Sequence, residues 1–302
     1  MAAIEALRSA LSALGRNPVL FLVGLLYGVI TLPQSALQLA GIPMVPTLLQ
    51  ILTFFVTPFV IAGLLGMASE SLDGKTSFST LTRVGKDRYV PLLVGSIIEF
   101  AIFLVFGIVA AIVGIVAAFG VFSAGGGGAG GGAMLAVGAL VLVVVLVGML
   151  LVFFIQFYSV AIVVGGTGAI DGFRESYRLV RNNLVSALGY SVINFVVSLV
   201  TTIPISGFLF WRTFQNFSQF ENGGAGAGAG AAAGGAAPMQ ALGFSTQEVI
   251  LISVISLATT MLLFTFQRTY ATAFYRAHEP RSRPEEFAET ADFENESEES
   301  AL

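Results

Sequence analysis

The sequence contains no cysteine and only one histidine, His278. Without cysteine there are no disulfides and no thiolate metal sites. A lone histidine at the start of the C-terminal tail excludes a His-pair metal site and the His-Glu-x-x-His pattern. A Ser–His membrane protease needs its histidine among its spans, and the apolar stretches also lack the aspartates that a two-aspartate intramembrane protease requires. Neither an enzyme nor a cofactor or metal is expected. Charge is scarce as well: 11% of residues are charged and 56% hydrophobic, at a mean hydropathy of +0.88. Soluble domains carry about 25% charged residues, so this chain has too little polar surface to cover a globule in water.

What the chain has instead is long uncharged sequence. No charged side chain occurs in residues 18–69, 100–170, 184–211 or 249–267. A bilayer core about 30 Å thick takes about 20 apolar residues per helix. The first two runs therefore hold two spans each, the second one beginning back at residue 89, and the last two hold one each. The expectation is an all-α membrane protein, a six-transmembrane-helix bundle over residues 1–277 with spans at 18–40, 45–68, 89–119, 133–165, 184–210 and 248–275. The runs are continuously apolar, unlike the short alternating segments of a membrane barrel, and a backbone deprived of water must be helical. Arg8 and Arg16 precede an apolar stretch longer than a signal-peptide core, with no Ala-x-Ala site behind it, which reads as an uncleaved first helix.

The cations fix an expected orientation. Of 14 Lys and Arg residues, 13 fall in the N-terminus, the 2–3 and 4–5 connections, or the end of the last span and the tail; only Arg212 falls on the other side. The positive-inside rule then places both termini in the cytoplasm of a multi-pass cell-membrane protein.

A repeat organises the pattern. Val90, Leu93, Ser96, Ile98 and Phe100 align without a gap on Val185, Leu188, Ser191, Ile193 and Phe195. Upstream, Asp73-Gly74 corresponds to Asp171-Gly172 and Phe54-Phe55 to Phe153-Phe154, and a fainter copy opens the chain at residues 3–8. Each unit reads as a short interfacial helix followed by a transmembrane hairpin, giving a parallel repeat. In the third unit Ile170, Phe173, Tyr177 and Val180 recur at helical intervals, while Arg174, Arg178 and Arg181 occupy another face. That is the pattern of an interfacial helix with its basic face toward anionic headgroups, and it determines topology rather than binding nucleic acid.

The remaining features are local. Gly-rich stretches at 125–132 and 223–237 fall on the outer side as flexible connections; the first lacks the Gly-Lys-Ser/Thr ending of a phosphate-binding loop. Asn216-Phe217-Ser218 is a glycosylation sequon on the expected outer face. The tail, 278–302, holds nine acidic residues from Glu279 onward and lacks the hydrophobicity to fold; it offers a docking segment for a basic protein partner. Acidic excess, two lysines against twelve arginines, and no cysteine together suggest a halophilic source. Pro33, Pro58 and Pro204 are expected to kink or break their helices.

One polar cluster stands out inside the spans. Glu99 lies about a third of the way into the third span, where a charge costs about 2.5–3.5 kcal/mol on insertion scales and normally has a partner. Asn194 occupies the matching repeat position, and Arg268 lies at a similar depth in the last span. Gln156 corresponds to Arg268, since Phe154-x-x-x-Tyr158 matches Phe266-x-x-x-Tyr270. These residues predict a Glu99–Arg268 contact with Asn194 nearby. It serves either as glue between helices or as a solute or ion site in a transporter.

The stretch from Ala161 through Gly168-Ala-Ile-Asp-Gly-Phe-Arg-Glu-Ser-Tyr-Arg to Asn183, with Ala62-Gly63-Leu64 and Gly74-Lys-Thr-Ser-Phe78 before it, resembles a recurring element of uncharacterised archaeal and bacterial six-helix membrane proteins. These are similar to the membrane domain attached to some glycerophosphoryl diester phosphodiesterases. The resemblance implies a fold and a membrane location. The catalytic barrel of those enzymes has no counterpart in this chain, so their activity does not carry over. Two functional classes follow: a structural or accessory protein that organises lipids or partner proteins, and a small-solute or ion transporter built around Glu99.

Overall fold

The computed structural model describes residues 2–39, 44–123, 131–222 and 246–278, and every regular element among them is a helix. In chain order these are α1 (Ala2–Arg16), α2 (Val19–Leu39), α3 (Met44–Asp73), α4 (Phe78–Asp87), α5 (Tyr89–Ser123), α6 (Gly131–Ile155), α7 (Tyr158–Val163), α8 (Ala169–Asn182), α9 (Leu184–Asn222) and α10 (Thr246–His278). The Gly-rich connections lie largely, and the acidic tail almost entirely, outside the described residues.

Five segments are long and apolar enough to cross a membrane: Met44–Asp73, Tyr89–Ala117, Leu135–Val163, Leu184–Ile203 and Gln247–His278. The α1–α2 pair, bent by 89°, makes a sixth when its two helices are taken together. The bend has a local cause. Pro18 has no N–H with which to continue the ladder of α1, and Asn17, 3% exposed, is clamped in place. Its Nδ2 donates to the carbonyls of Ala13 (3.1 Å) and Gly74 (3.0 Å), while its Oδ1 accepts from the Thr76 N–H at 3.1 Å.

Short amphipathic helices and long apolar ones alternate, and the short ones gather at one end, here called the base. Tyr270 of α10 donates to the Ala3 carbonyl of α1 at 3.1 Å. Arg276 forks onto Asp73 at 2.8 and 3.1 Å and also reaches the Ser69 carbonyl. Arg88, just after α4, donates to the Gly166 carbonyl in the α7–α8 connection at 3.2 Å. Gly166 has φ +71°, a conformation that side-chain-bearing residues rarely adopt.

The core is concentrated at this base. Phe157, Tyr190, Tyr270 and Phe274 are all buried and form an aromatic cluster, with centroids 5.1 Å apart for the stacked pair Phe157–Phe274, and 4.8 Å for Phe157–Tyr190 and 4.6 Å for Tyr190–Tyr270, both tilted. Away from the base the long helices are far less covered by the rest of the chain. From residue 135 to 152 α6 has no buried residue. α5 packs on α6, α3 and the base helices and α6 on α5 and α8, whereas α9 packs on α10, α1 and α8.

Three expectations are corrected. The segment 133–165 is not one continuous helix: it is interrupted at Gln156 and Phe157, between α6 and α7. Pro33 and Pro58 lie inside α2 and α3, and α9 runs through position 204, all without a break in the helix. Finally, α9 runs past the expected span end at 210 to Asn222, so the sequon at 216–218 is on helical backbone.

Candidate functional site

The interruption between α6 and α7 organises the polar residues of the long apolar helices. It is held open by Ser176 of α8. The Ser176 hydroxyl donates to the Phe154 carbonyl at 2.7 Å and its oxygen accepts from the Phe157 N–H at 3.1 Å. Thus a buried side chain takes over backbone bonds that the helix ladder would otherwise make, a recognised cause of helix interruption. Gly172, one turn earlier in α8, permits this approach: a Cβ there would come within 2.5 Å of Ile162.

Four consecutive residues at the break, Gln156-Phe157-Tyr158-Ser159, then point to different neighbours. Tyr158 donates to Glu99 Oε2 of α5 at 2.6 Å. Arg268 of α10 donates to the Ser159 hydroxyl at 3.3 Å, and its guanidinium lies 5.6 Å from the centre of the Phe264 ring. Ser191 of α9 donates to Gln156 Oε1 at 3.1 Å, and Gln156 Nε2 donates to the Phe153 carbonyl at 3.0 Å. Two turns further along α9, Ser198 accepts from Gln267 at 2.9 Å. One short segment therefore ties α5, α8, α9 and α10 together.

Glu99 and Arg268 do not pair directly among the described residues. Each bonds to one of two adjacent residues, Tyr158 and Ser159, so the opposite charges are linked through the break. Gln156 joins the same group, as an acceptor for Ser191. Asn194 is near in sequence to Ser191 but stands apart chemically: its Oδ1 is buried and has no hydrogen-bond partner. Of the other glutamines, Gln34 donates to Gln50, which joins α2 to α3.

Tyr158, Ser159, Ser176 and Ser191 were not singled out by sequence. A signal existed, since Gln156-Phe-Tyr-Ser159 is a polar run inside an otherwise apolar stretch. Among the described residues no group of three or more Asp, Glu or His side chains is placed to hold a metal ion.

A family model described as a domain of unknown function (DUF7847) matches residues 1–278. The chain belongs to the DUF7847 family. The match covers all ten helices of this DUF7847 chain and ends where the acidic tail begins. No curated protein and no solved structure matches it. The family assignment thus supplies a domain and leaves the chemistry to the residues.

The Tyr158–Glu99 bond carries a prediction. Tyr158→Phe leaves a carboxylate without its donor, at an expected cost of about 1–3 kcal/mol. Pairing it with Glu99→Met replaces both partners by apolar groups and recovers most of the loss. Denaturant unfolding of the two single variants and the pair, in one detergent, measures the recovery. Independent, additive losses are the outcome that sinks the pairing.

Proposed function

We propose that this is a multi-pass membrane accessory protein, not an enzyme, that presents its α5–α6 hairpin to surrounding lipid or to partner helices. The observation that carries the reading is the exposure of α6. None of residues 135–152 is buried and most are exposed, yet they are almost all aliphatic. Soluble monomers rarely expose contiguous apolar patches beyond a few hundred Å²; here lipid tails or partner helices supply the cover.

The orientation follows from the base. Arg8, Arg16, Lys75, Arg83, Lys86, Arg88, Arg174, Arg178, Arg181 and Arg276 belong to the elements that meet there, so the positive-inside rule puts the base and both termini in the cytoplasm. Six spans in three units of short helix plus hairpin complete the picture. The element order and the ungapped match of 90–100 with 185–195 support that repeat. The resemblance read from residues 161–183, to the membrane domain of some glycerophosphoryl diester phosphodiesterases, belongs to the same proposal: a bilayer-embedded role without their chemistry. The acidic tail serves a basic protein partner.

Having no native cysteine, the protein suits site-directed spin labelling. Val145→Cys and Met149→Cys, at positions 51% and 65% exposed, are compared with Leu64→Cys at a fully buried position. In vesicles the two α6 labels are expected to be open to oxygen and closed to a water-soluble relaxation agent, with the Leu64 label closed to both. Labels on α6 shielded from both reagents, in the purified protein, would overturn the reading.

A second reading is a small-solute or ion transporter using Glu99, Asn194, Arg268 and Gln156. The observation that favours it is the buried, unpartnered Oδ1 of Asn194, since an orphaned acceptor costs about 1–3 kcal/mol unless a water or solute donor occupies it. Flux into proteoliposomes that Glu99→Gln abolishes would transfer the assignment to transport.

A further inference from the structure

α8 turns three exposed arginines outward, Arg174, Arg178 and Arg181, which with Tyr177 and Asn182 line an open concavity of about 430 Å³. Arg174 is already engaged by Asp171 at 3.0 Å. Arg178 and Arg181 have no ion-pair or hydrogen-bond partner among the described residues. The other carboxylate of this helix, Glu175, is engaged by the Tyr275 hydroxyl. The face is therefore positive, and two of its cations are uncommitted.

Beside it an apolar groove of about 680 Å³ runs between α5 and α6, its walls including Ile98, Val105, Phe106, Val144, Val147 and Leu151. Its lining is entirely aliphatic and aromatic. A row of side chains runs from one to the other. Val144, Val147, Leu151 and Phe154 recur at three- and four-residue steps, one stripe along α6. Phe154 packs its ring on Tyr177, centroids 5.0 Å apart, and Tyr177 stands among the arginines. The Phe154–Tyr177 pair thus bridges the Leu151 end of the groove and the cationic concavity.

Length points the same way. The α5 wall extends from Ile98 to Ala110, about 18 Å at 1.5 Å per residue, against about 15 Å for half of a 30 Å hydrocarbon core. An occupant with a compact anionic head and an apolar chain one leaflet long satisfies both parts.

We infer that Arg178 and Arg181, with Arg174 and Tyr177, form the headgroup site for one anionic phospholipid whose acyl chain lies in the α5–α6 groove. This deepens the accessory reading and rests on it: a hairpin that faces lipid acquires one specific lipid. A cation close to an anionic lipid surface contributes about 1 kcal/mol. Removing two is expected to weaken retention about 30-fold.

The test uses the full chain in a neutral detergent, titrated with phosphatidylglycerol or with phosphatidylcholine of the same acyl chains, and bound lipid is counted by native mass spectrometry. The wild type is expected to retain one phosphatidylglycerol and to discriminate against phosphatidylcholine. Arg178→Gln/Arg181→Gln removes the discrimination, while Val147→Trp, which fills the groove from an exposed position, reduces retention of both lipids. Circular dichroism confirms that each variant remains folded; if either does not, Arg178→Gln alone replaces the double variant and is predicted to weaken the preference, and Val147→Phe replaces Val147→Trp and is predicted to weaken retention. Equal retention of the two lipids by the wild type, or unchanged preference in the arginine variant, overturns the site. Such a result with the α6 labels still lipid-exposed leaves the accessory reading standing; shielded labels remove that reading by themselves.

Discussion

Phe157→Ala is expected to lower the unfolding free energy by about 3–5 kcal/mol. The ring is fully buried and lies between Tyr190 and Phe274, at centroid distances of 4.8 and 5.1 Å. Its truncation leaves a void beside the interruption of the helix, where neighbouring rings are themselves buried and cannot collapse inward without leaving their own contacts. Lipid tails are as apolar as leucine, so between membrane helices the loss is mainly of van der Waals contact rather than of hydrophobic transfer. That places the effect toward the lower end of the range. The backbone bond from Phe157 N–H to Ser176 survives the substitution, which isolates the ring's contribution. Phe195→Ala is the control: that side chain is 66% exposed and its removal is expected to stay within about 0.5 kcal/mol. Denaturant titration followed by circular dichroism, both variants in one detergent, gives the comparison. A Phe157→Ala loss no greater than the control's would show that the aromatic stack does not hold the base together.

The helices themselves were legible, because an uncharged run longer than a bilayer is thick leaves the backbone no other way to satisfy its polar groups. The short amphipathic helices were legible too: Phe173 and Val180 at helical steps define one face and Arg174, Arg178 and Arg181 another, with the exposed Tyr177 at their border. The interruption at 156–157 was not. Its cause is Ser176, twenty residues downstream of Gln156, and a local reading of propensity sees only apolar helix formers on either side. Prolines were the expected breakers, yet α2 and α3 run through Pro33 and Pro58, as membrane helices commonly do when neighbours absorb the freed carbonyl.

The site was half legible for a similar reason. A glutamate amid Ile97, Ile98 and Phe100 identifies itself through its insertion cost. Its actual partner, Tyr158, belongs to a residue type that normally marks the membrane surface, so it was passed over in favour of the opposite charge on Arg268. The charge-pair argument found the right neighbourhood and the wrong bond, since Tyr158 and Ser159 each take one of the two charged groups. Nor does composition reveal which apolar helices pack: α6 and α10 are both strongly apolar, and only the second contributes heavily to the core.

Gly24→Val should be among the most damaging single changes in the chain. Gly24 and Gly28 form a Gly-x-x-x-Gly pair on α2, the small-residue spacing that lets membrane helices approach closely, and the approaching helix is α10. A Cβ at Gly24 would lie 2.6 Å from the Met261 carbonyl oxygen and also collide with the Thr265 hydroxyl. The carbonyl belongs to a helix backbone and cannot swing aside, so α2 and α10 must separate. Overpacking of a tight contact costs about 1–3 kcal/mol; with backbone as the obstacle and a branched side chain, a loss above about 3 kcal/mol is expected. Separation would also disturb what α10 carries to the base, including the Tyr270 bond to Ala3 and the fork of Arg276 on Asp73. Two further glycines calibrate the result. At Gly28 a Cβ would meet the tip of the Leu257 side chain at 2.6 Å, which can rotate, so Gly28→Ala is expected to cost about 1 kcal/mol. At Gly15 nothing lies within 4 Å, and alanine there should stabilise α1 by about 0.5–1 kcal/mol. The ordering, Gly24 worst, then Gly28, then a gain at Gly15, is read from three melting curves. A Gly24→Val protein as stable as Gly28→Ala would mean that α2 and α10 are not in backbone contact.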